Sequence, residues 1–157
     1  MLFPDYRPRR LRRNENVRRM IRETRLSTDD LILPLFAVPG KNVKEPIEAM
    51  PGQFRHSPDQ LAKLAREIAS QKIPAVLLFG IPRKKDAAGA SAHQKDGVVQ
   101  QAVRRIKDAA PDLLVVTDVC LCEYTDHGHC GLLNHTHPHL PEGYVLNDPT
   151  LEVLGRV

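Results

Sequence analysis

Apolar residues cluster in three short runs, separated by longer segments with helical periodicity. The runs cover residues 31–36, 75–80 and 113–119, and none shows regular polar alternation. Such continuous runs are typical of parallel strands buried on both faces, because both sides of the strand then meet apolar groups. Pro34 counts against the interior of the first strand, since proline cannot donate to a central ladder.

Two segments between the runs have the pattern of amphipathic helices. Ser57 is a typical N-cap and Pro58 suits the first helical position. The second helix opens at Asp96 or Gly97 and closes before Pro111. The apolar stripes comprise Leu61, Leu64, Ala65 and Ile68 in the first helix, and Val99, Ala102, Val103 and Ile106 in the second. The alternation of strands and helices predicts an α/β fold with a parallel sheet.

The ends of the chain add two shorter helices. Asn14 or Asn16 is expected to cap one near the N-terminus, and residues 149–154 have the pattern of the first turns of another. Three strands cannot close a barrel, and no strand follows the last helix. We therefore expect the 157 residues to form part of a larger fold.

Composition narrows the class of protein. The 41% hydrophobic and 27% charged residues are typical of one globular domain. No run approaches about 18 apolar residues, and no apolar segment follows Met1. The prediction is a cytoplasmic protein without a membrane partner.

Charge divides the chain into an arm and a body. Residues 1–25 hold nine arginines against three acidic residues, a net charge of +6, whereas the remainder is close to neutral. We predict a basic N-terminal arm over residues 1–25 that contacts another subunit. Nucleic-acid binding is the alternative, which the small number of aromatic residues disfavours.

A loop rich in cysteine and histidine follows the third strand. In an extended chain Asp118, Cys120 and Cys122 would share one face, and Gly128 and Gly131 would allow the turn that returns Cys130. Three thiolates with one open position suit a catalytic zinc site.

Other uses of these cysteines remain open. Inert buried thiols and redox chemistry are the alternatives, although residues two apart in a strand are too distant for a Cys120–Cys122 disulfide. A fourth ligand from His127 or His129 would make the metal site structural. The three histidines at positions 135, 137 and 139 are predicted to face solvent.

The loop after the second strand is basic and then rich in small residues. Residues 80–92 either cover a site and attract a carboxylate substrate or form a solvated charge run. The chain contains none of the motifs GxGxxG, GxxxxGK[ST], HExxH and GxSxG, so nucleotide binding and serine hydrolysis have no support.

The cysteine loop resembles that of the porphobilinogen synthases, also called 5-aminolevulinate dehydratases. The matching segment at residues 118–131 reads Asp-Val-Cys-Leu-Cys-Glu-Tyr-Thr-Asp-His-Gly-His-Cys-Gly. Shorter matches lie at residues 7–12, 33–36, 50–52, 78–82 and 147–151. The cysteine loop is similar to that of the zinc-type members of the family. Magnesium-type members have alanine and aspartates at the cysteine positions.

The resemblance implies a fold and a set of site residues. The expected fold is the N-terminal portion of a (β/α)8 TIM barrel at residues 26–157, about three strand units. The extended arm would wrap a neighbouring subunit in a homo-oligomer, an octamer in the family. By resemblance Cys120, Cys122 and Cys130 ligate a catalytic Zn²⁺, Asp118 lines the site, and Phe79 packs against substrate.

The implied activity condenses two molecules of 5-aminolevulinate into porphobilinogen, the lyase step common to porphyrin and heme biosynthesis. The family's two Schiff-base lysines lie in the second half of the barrel, and the last lysine here is Lys107. The isolated chain is therefore expected to be inactive. The alternative is a zinc-binding regulatory or interaction fragment that docks on full-length subunits.

Overall fold

The computed structural model describes residues 9–157, which form one five-stranded sheet and four α-helices. The strands are β1 (Ile32–Ala37), β2 (Lys44–Pro46), β3 (Phe54–His56), β4 (Ala75–Gly80) and β5 (Leu114–Thr117). The helices are α1 (Glu15–Met20), α2 (Pro58–Ser70), α3 (Val98–Ala109) and α4 (Asn147–Leu154). The three predicted strands are thus confirmed as β1, β4 and β5, within one or two residues at each end.

The sheet is mostly parallel, with the strand order β2-β3-β1-β4-β5. β1 pairs in parallel with β3 on one side and with β4 on the other, and β5 continues the parallel ladder beyond β4. Only β2 runs antiparallel, as the partner of β3. Because parallel strands point their carboxyl ends the same way, the loops after β1, β4 and β5 meet at one edge of the sheet.

Helices α2 and α3 pack beside each other on one face of the sheet. Ser57 and Gly97 occupy the N-cap positions, and both predicted apolar stripes contribute to the core. The fully buried sheet residues facing the helices are Ala37, Val76 and Leu78. Helices α2 and α3 therefore bury one face of the sheet.

The opposite face of the sheet is not covered by any element within residues 9–157. Ile32 is 57% exposed, Leu114 62% and Val116 43%, and the aromatic pair Phe36 and Phe79 is half-buried. The prediction that the strands are buried on both faces is therefore wrong for this chain. An apolar run is compatible with burial of both faces of a strand, but in this chain helices cover only one face of the sheet.

Pro34 lies inside β1, despite the expectation that it would disturb a strand. β3 pairs only with Phe36 and Ala37, so β1 has a single neighbour at Pro34. A missing N–H can then face the open side without breaking a ladder. The hairpin of β2 and β3, with no more than three residues in each strand, was not predicted by the apolar pattern.

The described part of the basic arm lies apart from the core. α1 is capped as predicted, because the Asn14 side chain accepts from the Val17 amide at 3.0 Å. Glu15 pairs with Arg18 at 2.7 Å and with Arg22 at 3.3 Å. No residue between positions 9 and 31 is buried. Residues 1–8 of the predicted arm lie outside the described residues.

None of the helices within residues 9–157 is both long enough and apolar enough to cross a membrane.

Replacing Leu61 with alanine is expected to lower the free energy of unfolding by about 2–5 kcal/mol, because it opens a cavity in the buried core. The matched change Leu114→Ala removes the same atoms from an exposed position and should cost no more than about 0.5 kcal/mol. Urea denaturation of both variants measures the difference. Equal losses would show that the open face of the sheet is covered in solution.

Candidate metal site at the end of the sheet

The loop after β5 brings three sulfur atoms together. The Sγ atoms of Cys120, Cys122 and Cys130 all lie within 4.8 Å of one another, and those of Cys120 and Cys122 are 3.2 Å apart. Residues 121–124 form a turn rather than an extended strand, so the predicted sharing of one strand face is wrong. The turn brings the sulfur atoms together. In an extended strand, neighbouring side chains on one face would lie farther apart.

Two buried side chains anchor this loop to the body. Leu121 is fully buried and Tyr124 is 5% exposed, and both pack with Ala92 from the loop after β4. The Tyr124 hydroxyl lies directly over Gly80, where an added Cβ would come within 2.2 Å of it. Only glycine at the end of β4 allows this close approach.

The loops after β4 and β5 are joined by backbone pairing. The Asp86 amide donates to the Tyr124 carbonyl and the Asp126 amide donates to the Asp86 carbonyl, both at 3.2 Å. Lys85 Nζ lies 3.5 Å from the Cys122 carbonyl oxygen. The basic loop, for which both a site cover and a solvated charge run were open, lies against the cysteine loop, although sequence reasoning treated the two loops separately.

The return of the chain to Cys130 depends on local turns. Gly128 has φ = +74°, a left-handed conformation that side chains disfavour. Thr125 is fully buried, and its hydroxyl donates to the His129 carbonyl at 2.8 Å. The His129 amide donates to His127 Nδ1 at 3.1 Å. These bonds fix the segment that carries the third thiol.

Two of the three thiols have raised pKa values. Burial raises the pKa of Cys122 well above its usual range, and contacts with Cys120 and Glu123 raise it further. The hydrogen bond with Cys120 is the main cause of the raised pKa of Cys130. A cation placed among the sulfur atoms would offset this repulsion and favour the thiolates.

An acidic pair adjoins the sulfur cluster. Glu123 Oε2 lies 3.3 Å from Cys122 Sγ, and ligand atoms of Asp118, Cys120 and Glu123 form a second set within 4.8 Å. Burial, and secondly Glu123, raises the pKa of Asp118. Burial, followed by the charges of Glu123 and Asp118, raises the pKa of Tyr124 to about 12. Sequence reasoning singled out Asp118 but missed Glu123 and Tyr124, for which the only signal was adjacency to the cysteines.

The histidines lie outside both sets of ligand atoms. His127 Nε2 is 3.2 Å from the Ala87 carbonyl oxygen, so both of its ring nitrogens have local partners. Among the described residues, neither His127 nor His129 joins the sulfur cluster. His135, His137 and His139 are exposed, as predicted.

Phe79 lies on the uncovered face of the sheet. Its ring stacks on Phe36 with the centroids 5.5 Å apart and the planes inclined by 22°. Pairing of Phe36 with Phe79 across the β1–β4 ladder produces this contact. A half-buried aromatic pair thus stands near the carboxyl ends of the central strands.

The donor set is suited to a metal ion. Cys120 and Cys122 are half-buried, Cys130 is exposed, and all three are free thiols. Sulfur donors select soft or borderline cations, and three protein ligands leave a position for another group. Fold and site together define an α/β protein with a cluster of three cysteines that could hold a metal ion at the carboxyl edge of a mostly parallel sheet.

Comparison with known proteins identifies the family. The family profile described as delta-aminolevulinic acid dehydratase matches residues 5–157. This chain belongs to the delta-aminolevulinic acid dehydratase family, as the cysteine loop indicated.

Curated relatives carry the same description. The chain is 47% identical to a protein of Halalkalibacterium halodurans over 150 residues and 49% identical to one of Synechococcus elongatus over 155 residues. The matches cover 96% and 99% of this chain but 44% and 47% of the relatives. The chain therefore spans about half the length of these relatives.

The fold is also similar to that of a solved structure. Delta-aminolevulinic acid dehydratase (porphobilinogen synthase) from Toxoplasma gondii, solved with its reaction product porphobilinogen, superimposes with a TM-score of 0.86. The sequence identity is 33%, and the match covers 96% of this chain and 42% of the other.

Replacing Gly80 with alanine is expected to displace Tyr124, because the new Cβ would lie 2.2 Å from its hydroxyl and 2.5 Å from Val99 Cγ2. Overpacking of this kind costs about 1–3 kcal/mol in the free energy of unfolding. Gly155→Ala is the control, since its nearest contact would be 3.4 Å away. Urea denaturation measures both, and a Gly80→Ala variant as stable as Gly155→Ala would contradict the anchoring role.

Proposed function

We propose that this chain supplies the metal-binding, N-terminal half of a porphobilinogen synthase. The activity of the whole enzyme would be condensation of two 5-aminolevulinate molecules into porphobilinogen. The observation that carries the proposal is the convergence of three thiols at the end of a parallel sheet in a chain of this family. The reaction product bound to the similar Toxoplasma gondii protein supports the assignment of substrate.

In this proposal Cys120, Cys122 and Cys130 hold a zinc ion as thiolates. Sulfur donors favour zinc over magnesium, which prefers oxygen ligands. A bound zinc supplies Lewis-acid polarisation of a substrate oxygen. Because such a site requires reduced thiols, a reducing compartment such as the cytoplasm fits best.

Two further residues receive roles in the proposal. Phe79 presents an aromatic face, stacked on Phe36, against which a substrate chain could pack. Asp118 stands next to the sulfur cluster, where its carboxyl could form a hydrogen bond with substrate. These roles orient substrate rather than form bonds with it.

The expected (β/α)8 barrel is supported by the one-sided sheet. β3, β1, β4 and β5 are consecutive parallel strands, with α2 and α3 on a single face. In a barrel the helices form the outer ring and the opposite strand face points inward. We propose that residues 26–157 form the first part of such a barrel, with Phe36, Phe79 and Val116 directed toward its interior.

The basic arm at residues 1–25 is proposed to contact another subunit of a homo-oligomer. Its described part, from position 9 onward, buries no residue against the body. Glu15 pairs with arginines of the arm itself, Arg18 and Arg22. A charged segment that buries no residue against its own body has its surface available for a partner.

The purified 157-residue chain is expected to bind about one zinc ion, and replacing all three cysteines with serine should abolish stoichiometric zinc. Elemental analysis after dialysis measures the content. As a matched control, serine at positions 135, 137 and 139 removes three exposed histidines and should leave the zinc content unchanged. Zinc retained by the cysteine variant would refute the ligand assignment.

The 157-residue chain alone is expected not to produce porphobilinogen. The reaction needs two positioned amines, and the lysines nearest the cysteine loop, Lys84 and Lys85, are exposed. A Schiff-base lysine has to be desolvated and held against the substrate carbonyl, and solvent-exposed lysines are neither. Incubation with 5-aminolevulinate and zinc, followed by product assay and borohydride trapping, tests this expectation. Product formation or a trapped adduct would contradict it.

A second candidate function is docking on a polypeptide that contains the remaining strands. The open sheet face, with Ile32 and Leu114 more than half exposed, favours it. Mixing the chain with residues corresponding to the second half of a relative should then yield a stable complex. Porphobilinogen synthesis by that complex would support the enzyme assignment, and a complex without activity would support the interaction role.

A further inference from the structure

Glu123 lies directly against one of the three thiols, and the function proposed above gives it no role. Its Oε2 atom is 3.3 Å from Cys122 Sγ. A carboxylate oxygen of Glu123 also lies within 4.8 Å of Cys120 Sγ. Two of the three sulfur atoms thus have this carboxylate as a close neighbour.

The turn of the cysteine loop determines why these side chains lie together. The amides of Tyr124 and Thr125 both donate to the Leu121 carbonyl at 2.9 Å, so Cys122 and Glu123 form the corner of the turn. Leu121 and Tyr124, at the two ends of the turn, are buried in the body. With its ends anchored, the turn holds Cys122 and Glu123 next to each other, and both are half-buried.

The carboxylate of Glu123 has no cationic partner within residues 9–157, where the ion pairs involve Glu15 and Asp96 as the acidic members. Lys85, which approaches the same turn, has its Nζ atom 3.5 Å from the Cys122 carbonyl oxygen. Glu123 instead adjoins the carboxylate of Asp118, within 4.8 Å. A half-buried carboxylate placed between a second carboxylate and a thiol is stabilised by a positive charge among them.

The separation of the oxygen and sulfur atoms suits two donors to one metal ion. Zinc lies about 2.3 Å from a thiolate sulfur and about 2.0–2.2 Å from a carboxylate oxygen. At tetrahedral angles these bond lengths place the two donor atoms about 3.5 Å apart. The observed distance between Glu123 Oε2 and Cys122 Sγ is 3.3 Å. Within the described residues, neither His127 nor His129 joins the ligand atoms, so neither competes for this position.

We propose that Glu123 is a displaceable fourth ligand of the metal ion that Cys120, Cys122 and Cys130 would hold. This inference rests on the proposed function, which assigns zinc to the three thiols. The carboxylate would occupy the open coordination position while substrate is absent, and would withdraw as an anion when a substrate takes its place. No electron is transferred in this exchange, because one electron-pair donor replaces another.

The variant Glu123→Gln keeps the size of the side chain and removes its charge, and it should weaken zinc binding by the 157-residue chain about tenfold or more. Loss of a partner that merely supports a metal ligand already costs about 10–100-fold in affinity. Asp126→Asn is the matched control, because Asp126 is an exposed acidic residue of the same loop outside both sets of ligand atoms. It should change the affinity less than about twofold. Competition with a fluorescent zinc chelator measures the dissociation constants.

Imidazole, a neutral metal ligand, distinguishes coordination by Glu123 from an effect of its charge. With cobalt(II) in place of zinc, the visible absorption spectrum reports imidazole binding. If Glu123 occupies the fourth position about nine-tenths of the time, Glu123→Gln should tighten imidazole binding about tenfold. Loss of a nearby negative charge alone would not tighten the binding of a neutral ligand. Asp126→Asn should bind imidazole as the unaltered chain does.

The far-ultraviolet circular dichroism spectrum shows whether each variant is folded, and Glu123→Ala replaces Glu123→Gln if the latter is not. Weaker zinc binding together with tighter imidazole binding supports the proposal. Unchanged zinc affinity, or imidazole binding that is not tightened, would overturn the role of Glu123 and leave the site of three thiols intact. A lack of zinc binding by the unaltered chain would overturn both this inference and the proposed zinc site.

Discussion

The position of the three thiols depends on how the cysteine loop is fixed to the end of β4. Tyr124 lies over Gly80, Leu121 is buried beside it, and Asp86 pairs with the backbone around Thr125. Regular strand structure ends at Thr117, and the Asp118 amide makes the last backbone hydrogen bond to β4, with the Leu78 carbonyl at 3.1 Å. Side-chain burial and one isolated bridge therefore hold the loop in place, as the hydrogen bonds of the sheet hold the strands. A rigid sheet edge becomes the reference from which the three thiols are positioned.

The anchoring also has an electrostatic cost, which explains the chemistry of the loop. It places Cys122 beside Cys120 and Glu123, and the pKa of Cys122 rises because burial and these neighbours oppose its ionisation. Ionisation of Cys122 is therefore unfavourable unless a cation lies beside it. Binding a divalent cation must release protons and convert repulsion among the sulfur atoms into shared attraction. Loop order and metal affinity are therefore linked in the folded chain.

Residue patterns predicted the parts of the fold that follow periodicity. The stripes containing Leu61 and Ile106 determine which sides of α2 and α3 are buried, and the apolar run at residues 75–80 coincides with β4. The hairpin of β2 and β3 could not be predicted, because three-residue strands have too few positions to show a period. The turn at residues 121–124 was missed because alternation assumes an extended chain. Tyr124 was missed because its role depends on Gly80, 44 positions away in the chain.

The two edges of the sheet differ in a way that bears on the proposed half-barrel. β2 ends the sheet on one side with Lys44, Glu45 and Pro46, and charge and proline at an edge discourage further pairing. β5 ends the sheet on the other side, and its sequence Leu-Val-Val-Thr contains no charged residue and no proline. Its exposed Leu114 and Val116 continue the uncovered apolar face. An additional parallel strand would therefore add at β5, at the edge from which the cysteine loop emerges. Growth of the sheet in that direction would enclose Phe79 and place new side chains beside the metal ligands.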